Sequence, residues 1–212
     1  MRQRAHVGRD EVPAIYGFWL LQDGEEKGGR TVSDFRRNYV PGGTYFFTVV
    51  TYCRRPFLTQ TAARRSLRRA FRHVQGRWPF DIVAIVLLPD HFHTVWTLPP
   101  DDVRYSLRMQ KVKEQFTRTF LDGGGVELPG TPSEEAHGQR GIWQGRFWEH
   151  TVRDEADLKW CVDYVHWNPV KHRYVRRVAD YAWSSFHRYV RLGEYAGNWG
   201  EVDPCPAFEV PE

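Results

Sequence analysis

Two β-rich apolar runs, Phe80–Leu88 and His91–Leu98, are separated only by Pro89-Asp90. Two residues can turn a chain back on itself but cannot carry a crossover, so the runs predict an antiparallel hairpin. The first run is continuously apolar and rich in Val and Ile, which marks a buried strand. Upstream, Pro41-Gly42-Gly43 is a turn signal that opens Thr44–Tyr52, a stretch of β-branched and aromatic residues that predicts another strand. Between these strands Leu67, Ala70, Phe71 and Val74 recur at i, i+3, i+4 and i+7, predicting a helix over 60–78. Pro99-Pro100-Asp101-Asp102 ends the hairpin and caps a helix over about 103–121. A Gly/Pro-rich segment over 121–141 predicts a long, flexible inserted loop. Trp143–Arg153 reads as a further strand. Asp154 is the N-cap candidate of a last helix, which the pattern ends at Asn168, before Pro169. The first six elements follow the βαββαβ order of the ferredoxin-like α+β sandwich, with the last helix added. That order is shared by many chemistries.

The 34–190 stretch holds all of these elements. Residues 1–33 include the polar, Gly-rich Asp23–Arg30 and predict a loosely ordered extension with a short apolar patch at Ile15–Leu21. Residues 191–212 form a C-terminal tail; the aromatics from Tyr181 onward suggest that it docks over the active site. With 30 Lys+Arg against 26 Asp+Glu, the net charge of +4 admits a nucleic-acid partner without requiring one. Cys53, Cys161 and Cys205 are odd in number and contain no CxxC, which argues against a disulfide framework or structural zinc. No apolar run is long enough to span a membrane, and Arg2 and Arg4 precede no apolar signal core. The expectation is a soluble cytoplasmic protein with no membrane partner.

Chemistry concentrates in two places. In His91-Phe92-His93, residues i and i+2 project from the same strand face, so both imidazoles can converge on one ion. In Tyr164-Val165-His166-Trp167-Asn168-Pro169, Tyr164 and Asn168 share a helix face. His166 lies about 200° round the helix from Tyr164 and faces elsewhere. Either motif alone reads more readily as ordinary packing. Together, two imidazoles and an amide oxygen make a three-ligand site suited to Mg²⁺ or Mn²⁺. A tyrosine beside such an ion can attack phosphorus, provided the ion or a base activates a phenol whose ordinary pKa is about 10.

Four runs occur in order: Tyr39–Val49, then Leu88-Pro89-Asp90-His91-Phe92-His93-Thr94-Val95-Trp96, then Ile142–His150, then Asp163–His172. Over about 37–190 the chain resembles the REP-associated tyrosine transposases, relatives of the IS200/IS605 single-tyrosine HUH transposases. The resemblance implies that His91 and His93 are metal ligands, Asn168 is the third and Tyr164 is the nucleophile. It further implies cleavage and rejoining of single-stranded DNA at an imperfect-palindrome hairpin, the REP element. A 5′-phosphotyrosine link and a free 3′-OH result, with Mg²⁺ or Mn²⁺ as cofactor. It favours a monomer and leaves a dimer with shared sites open. The N-terminal extension and the 121–141 loop depart from the family pattern.

Candidate DNA contacts are more diffuse. Arg64, Arg68 and Arg72 form a basic helical stripe that can track phosphates, or be a solvated face. Arg146, Trp148 and His150 alternate along a predicted strand face, where Trp148 stacks a base or packs in the core. Arg36, Arg37 and Asn38 precede the first strand, and the resemblance suggests that this region reads a guide sequence. The rival functions are a catalytically silent hairpin binder and a relaxase or replication-initiator nickase. RNA binding is a weaker reading, because no aromatic RNP-type consensus is visible.

Overall fold

A computed structural model describes residues 38–136, 138–202 and 204. The expected extension 1–33, Arg36, Arg37 and the end of the tail lie outside these residues. The chain builds strand β1 (Thr44–Val50), helix α1 (Thr61–Arg77), strands β2 (Asp81–Leu87) and β3 (His91–Thr97), and helix α2 (Tyr105–Asp122). A short helix α3 (Pro132–Ala136), strand β4 (Trp148–Thr151), helix α4 (Glu155–Lys171) and helix α5 (Phe186–Arg191) complete it. The sheet order is β2-β3-β1-β4 with every pair antiparallel, which is the ferredoxin-like α+β arrangement. No helix among the described residues is long and apolar enough to cross a membrane.

Alternation along the strands divides the interior into two layers. Tyr45, Phe47, Val49, Phe92 and Trp96 point to one face, where they pack with Leu67, Phe71 and Val74 of α1 and Met109, Val112 and Phe116 of α2. Phe46, Ala84, Val86 and Val95 point to the other face and meet Cys161, Val162, Tyr164 and Val165 of α4. His91 and His93 have the parity of Val95, so they are directed at α4.

Local chemistry sets the element ends. Gly43 N–H donates to the Val40 carbonyl at 2.9 Å, and Gly42 takes φ +64° at the position where a Pro-Gly turn needs it. Arg108, fully buried in α2, donates two bonds to Asp102 (3.0 and 2.8 Å) and two to the Pro79 carbonyl (3.2 and 3.0 Å), tying α2 to the start of β2. That guanidinium holds the Asp102 carboxyl well below the usual carboxylate range. The Asp154 side chain accepts the Asp157 N–H at 2.9 Å and caps α4 as expected.

Two expectations are corrected. α4 does not stop at Asn168 but runs through Pro169 to Lys171. The last strand begins only at Trp148; upstream, Trp143 makes an isolated bridge to Thr51 and is buried in the α1–α2 layer. Gln144, Gly145 and Arg146 between them are exposed, so the aromatic pattern there reports core insertion rather than a continuous strand. Within the 121–141 segment lies α3, and a Leu128–Gly141 bridge closes its base.

Candidate active site

β3 and α4 lie side by side, and their side chains meet in pairs. His93 packs against Tyr164, with ring centroids 5.4 Å apart, and His91 packs against His172 at 5.2 Å. Tyr164, Asn168 and His172 are spaced i, i+4 and i+8, so Asn168 falls between these two contacts. The two β3 imidazoles stand edge to face, 4.9 Å apart with an interplanar angle of 81°. The structure therefore brings His91, His93, Tyr164 and Asn168 together. None is more than 1 % exposed, so in this conformation neighbouring side chains must part before a phosphodiester can enter.

Each histidine is oriented by a neighbour. His91 Nδ1 lies 2.7 Å from the Asp90 carboxylate, which also accepts a bond from Arg54 at 3.1 Å. Burial pushes the Asp90 pKa up, but the bonds from His91 and Arg54 outweigh it and hold the carboxyl below its ordinary value. An ionised Asp90 accepts a hydrogen bond from Nδ1–H, and in that tautomer Nε2 carries the lone pair. His93 Nδ1 is 2.9 Å from Thr48 Oγ1 on the adjacent β1. The Tyr164 hydroxyl accepts a bond from Lys171 Nζ at 2.9 Å, and its ring stacks on Trp160 at 5.3 Å.

The donor set fits a divalent cation. His91 Nε2 and both polar atoms of the Asn168 amide are buried and have no hydrogen-bond partner among the described residues. Leaving such groups unsatisfied costs about 1–3 kcal/mol each. Imidazole nitrogen with amide oxygen suits Mn²⁺ or Mg²⁺. A second cluster of donor atoms, His150, Asp157 and Cys161, lies within 4.8 Å of one another. There the Asp157 carboxylate already accepts from His150 Nε2 (2.9 Å), Arg153 Nε (3.0 Å) and the Arg153 N–H (3.0 Å), and the cluster pins α4 to β4.

The candidate DNA contacts among the described residues do not gather at this site. Arg64, Arg68 and Arg72 lie on α1, across the sheet from α4. Asn38 is exposed ahead of β1, and Arg146 is exposed ahead of β4 rather than on it. Trp148 and His150 do share a face of β4, with rings parallel to within 8°. Trp148 meets Phe46 edge-on at 5.6 Å and His150 is held by Asp157, so both are built into the fold. Sequence reasoning missed the contacts of Asp90, Thr48, Lys171 and His172. The last two were legible only as a continuation of the Tyr164–Asn168 face beyond Pro169.

A ferredoxin-like sheet that sets two strand histidines against a helical tyrosine and asparagine defines a class, and comparison gives it a name. The family model described as transposase, IS200-like, matches residues 39–168, and the chain belongs to that family of tyrosine transposases, which are enzymes. Within it the similarity is to the REP-associated tyrosine transposases. The one from Escherichia coli K12 is 41 % identical over 179 residues, covering 84 % of this chain and 98 % of the relative. A Haemophilus influenzae relative is 40 % identical over 175 residues, covering 80 % and 94 %. A solved REP-associated tyrosine transposase bound to a REP hairpin superposes with a TM-score of 0.66 at 38 % identity, covering 85 % of this chain and 99 % of that one.

Proposed function

We propose that the chain is a metal-dependent single-stranded DNA endonuclease and strand transferase acting at REP-type hairpins through a 5′-phosphotyrosine intermediate. The observation that carries this reading is the packing of Tyr164 against His93, beside His91 and Asn168. In this reading His91, His93 and Asn168 hold Mg²⁺ or Mn²⁺, which when bound polarises a phosphate oxygen. Asp90 and Thr48 fix the two rings so that each presents Nε2. The Tyr164 hydroxyl gives up its proton to solvent as its oxygen attacks phosphorus, the bond to the 3′ oxygen breaks and that oxygen takes up a proton to leave as a 3′-OH, and the 5′ phosphate stays on the phenol. The Lys171 ammonium, 2.9 Å from that oxygen, lies where negative charge develops. Because the tyrosyl ester conserves the phosphodiester, a 3′-OH can reverse the step and rejoin strands without an external energy source. The structurally similar relative carries a REP hairpin, which supports the same DNA as partner here. We take the protein to act in the cytoplasm as a monomer, with a dimer that shares its sites as the alternative.

The test is a labelled single-stranded oligonucleotide carrying a REP-like hairpin, incubated with protein and Mn²⁺ and resolved on a denaturing gel. The expected product is a protein–DNA adduct that is absent with Tyr164→Phe and with EDTA. Hairpin binding without an adduct, over several flanking sequences and both metals, would instead establish a catalytically silent binder.

A further inference from the structure

The face of the sheet opposite α4 carries a groove that the chemistry above does not use. One wall is α1, which contains Arg64, Arg65, Arg68, Arg69, Arg72 and Arg77 and no acidic residue. The other wall is the 182–185 segment, which closes the edge of β2. Leu87 N–H donates to the Trp183 carbonyl and Ser185 N–H to the Ile85 carbonyl, both at 2.8 Å. The space between encloses about 690 Å³, with an apolar floor that includes Phe71 and Ile85. Arg64, Arg65, Arg68 and Arg72 line it with Trp183, and no carboxylate does. Among the described residues none of these four arginines forms an ion pair. Trp183 is 42 % exposed, and the Arg64 guanidinium lies 3.5 Å from its ring centroid.

A solvated basic helix face accounts for the arginines but not for a half-exposed indole set against them over an apolar floor. Four guanidiniums without counter-charge repel one another and attract a polyanion. Arg64, Arg68 and Arg72 rise about 6 Å per step along the helix, a spacing suited to successive phosphates of an extended strand. An aromatic platform beside a basic track is the arrangement that binds single strands irrespective of sequence. The groove also opens at the right end of the sheet. Leu87, bonded to Trp183, pairs with Phe92, the residue between His91 and His93. Leu58, just before α1, donates its N–H to the Pro89 carbonyl in the β2–β3 turn. A strand leaving the catalytic face round that turn meets Trp183 and Arg64 first, then Arg68 and Arg72.

We propose that this groove binds single-stranded DNA continuous with the strand that is cut, with a base stacked on Trp183 and phosphates on Arg64, Arg68 and Arg72. The continuity rests on the function proposed above, whereas the binding does not. The probes are a fluorescent oligo-dT of about 12 nucleotides, and a REP-type hairpin with and without a single-stranded flank. Affinity is measured at several salt concentrations for wild type, Trp183→Phe, Trp183→Ala and Arg68→Ala/Arg72→Ala, each matched to wild type by thermal melting. Trp183→Ala is expected to weaken oligo-dT and flanked-hairpin binding about ten-fold or more, with Trp183→Phe retaining most of the affinity. The double arginine variant is expected to flatten the salt dependence of log K by about 1.4. The blunt hairpin is expected to bind all variants alike. The proposal is overturned if wild type fails to bind oligo-dT, if the variants bind it as wild type does, or if they lose the blunt hairpin equally. Oligo-dT binding through the groove by a protein that forms no Tyr164 adduct would remove the catalytic reading and leave this one standing.

Discussion

His166 sits two residues from the candidate nucleophile and has a different task. It is fully buried, shares a 2.8 Å hydrogen bond with Ser185 Oγ and meets Tyr189 edge-on at 4.7 Å. Burial, followed by the positive charge of Arg188, pushes its pKa down to about 3. The unfolded chain takes up a proton near the ordinary pKa of about 6.5, and the folded chain refuses it until about pH 3. The stability linked to this group is therefore complete above pH 6.5 and is lost as pH falls through that window. The slope approaches 1.4 kcal/mol per pH unit, or about 2 kcal/mol by pH 5. Urea denaturation of wild type and His166→Gln between pH 7.5 and 5 checks this, with wild type expected to lose stability more steeply; parallel profiles would refute it. The same residue shows what a helical wheel can tell. Its placement away from Tyr164 follows from 100° per residue, whereas the bond to Ser185, which also accepts the Ile85 N–H, depends on a distant chain segment closing the edge of β2.

At the level of elements, α4 departs most from its sequence pattern, and the departure completes the site. Pro169 has no N–H, so one bond of the last turn is missing. The Asn168 carbonyl nevertheless accepts the His172 N–H at 3.0 Å and the Pro169 carbonyl accepts the Tyr174 N–H at 2.9 Å, so the turn closes. Carrying the helix past Pro169 puts Lys171 on Tyr164 and His172 beside His91. The hairpin, the α1 stripe, the Asp154 cap and the His91/His93 parity were legible, because each is a local period or a local hydrogen bond. The start of β4 and the structure within 121–141 were not, because they depend on which distant backbone they meet. The base of that loop is a case in point. A Cβ on Gly141 would lie 1.8 Å from the Leu128 carbonyl oxygen, so only glycine permits the bridge. Gly141→Ala is expected to part it at a cost of about 1–3 kcal/mol. Amide exchange at Leu128, whose N–H donates to the Gly141 carbonyl at 3.1 Å, would accelerate, as would proteolysis within 122–140. Unchanged protection at Leu128 would contradict this account.

On the scale of the whole molecule the sheet separates two tasks, with the candidate chemistry under α4 and the basic groove beside α1. The α1–α2 face buries Arg108 and Glu149 with hydrogen-bond partners, whereas the α4 face buries His91, His93, Asn168 and Tyr164 together. That polarity is costly to the folded state and is relieved by any cation the site accepts. A ligand that binds only the folded chain stabilises it by about 2.7 kcal/mol at a hundred times its dissociation constant. For a chain of this size that corresponds to a rise of about 5–11 °C in melting temperature. Wild type is therefore expected to melt higher with Mn²⁺ than with EDTA, and the increment is expected to disappear in His91→Ala and Asn168→Ala. Tyr164→Phe should keep the increment, since the phenol is bonded to Lys171 and is not among the donors assigned to the ion. This pattern separates metal binding from catalysis without any DNA in the sample. An equal Mn²⁺ increment in wild type and His91→Ala would place the ion elsewhere, and His150, Asp157 and Cys161 would be the next donors to test.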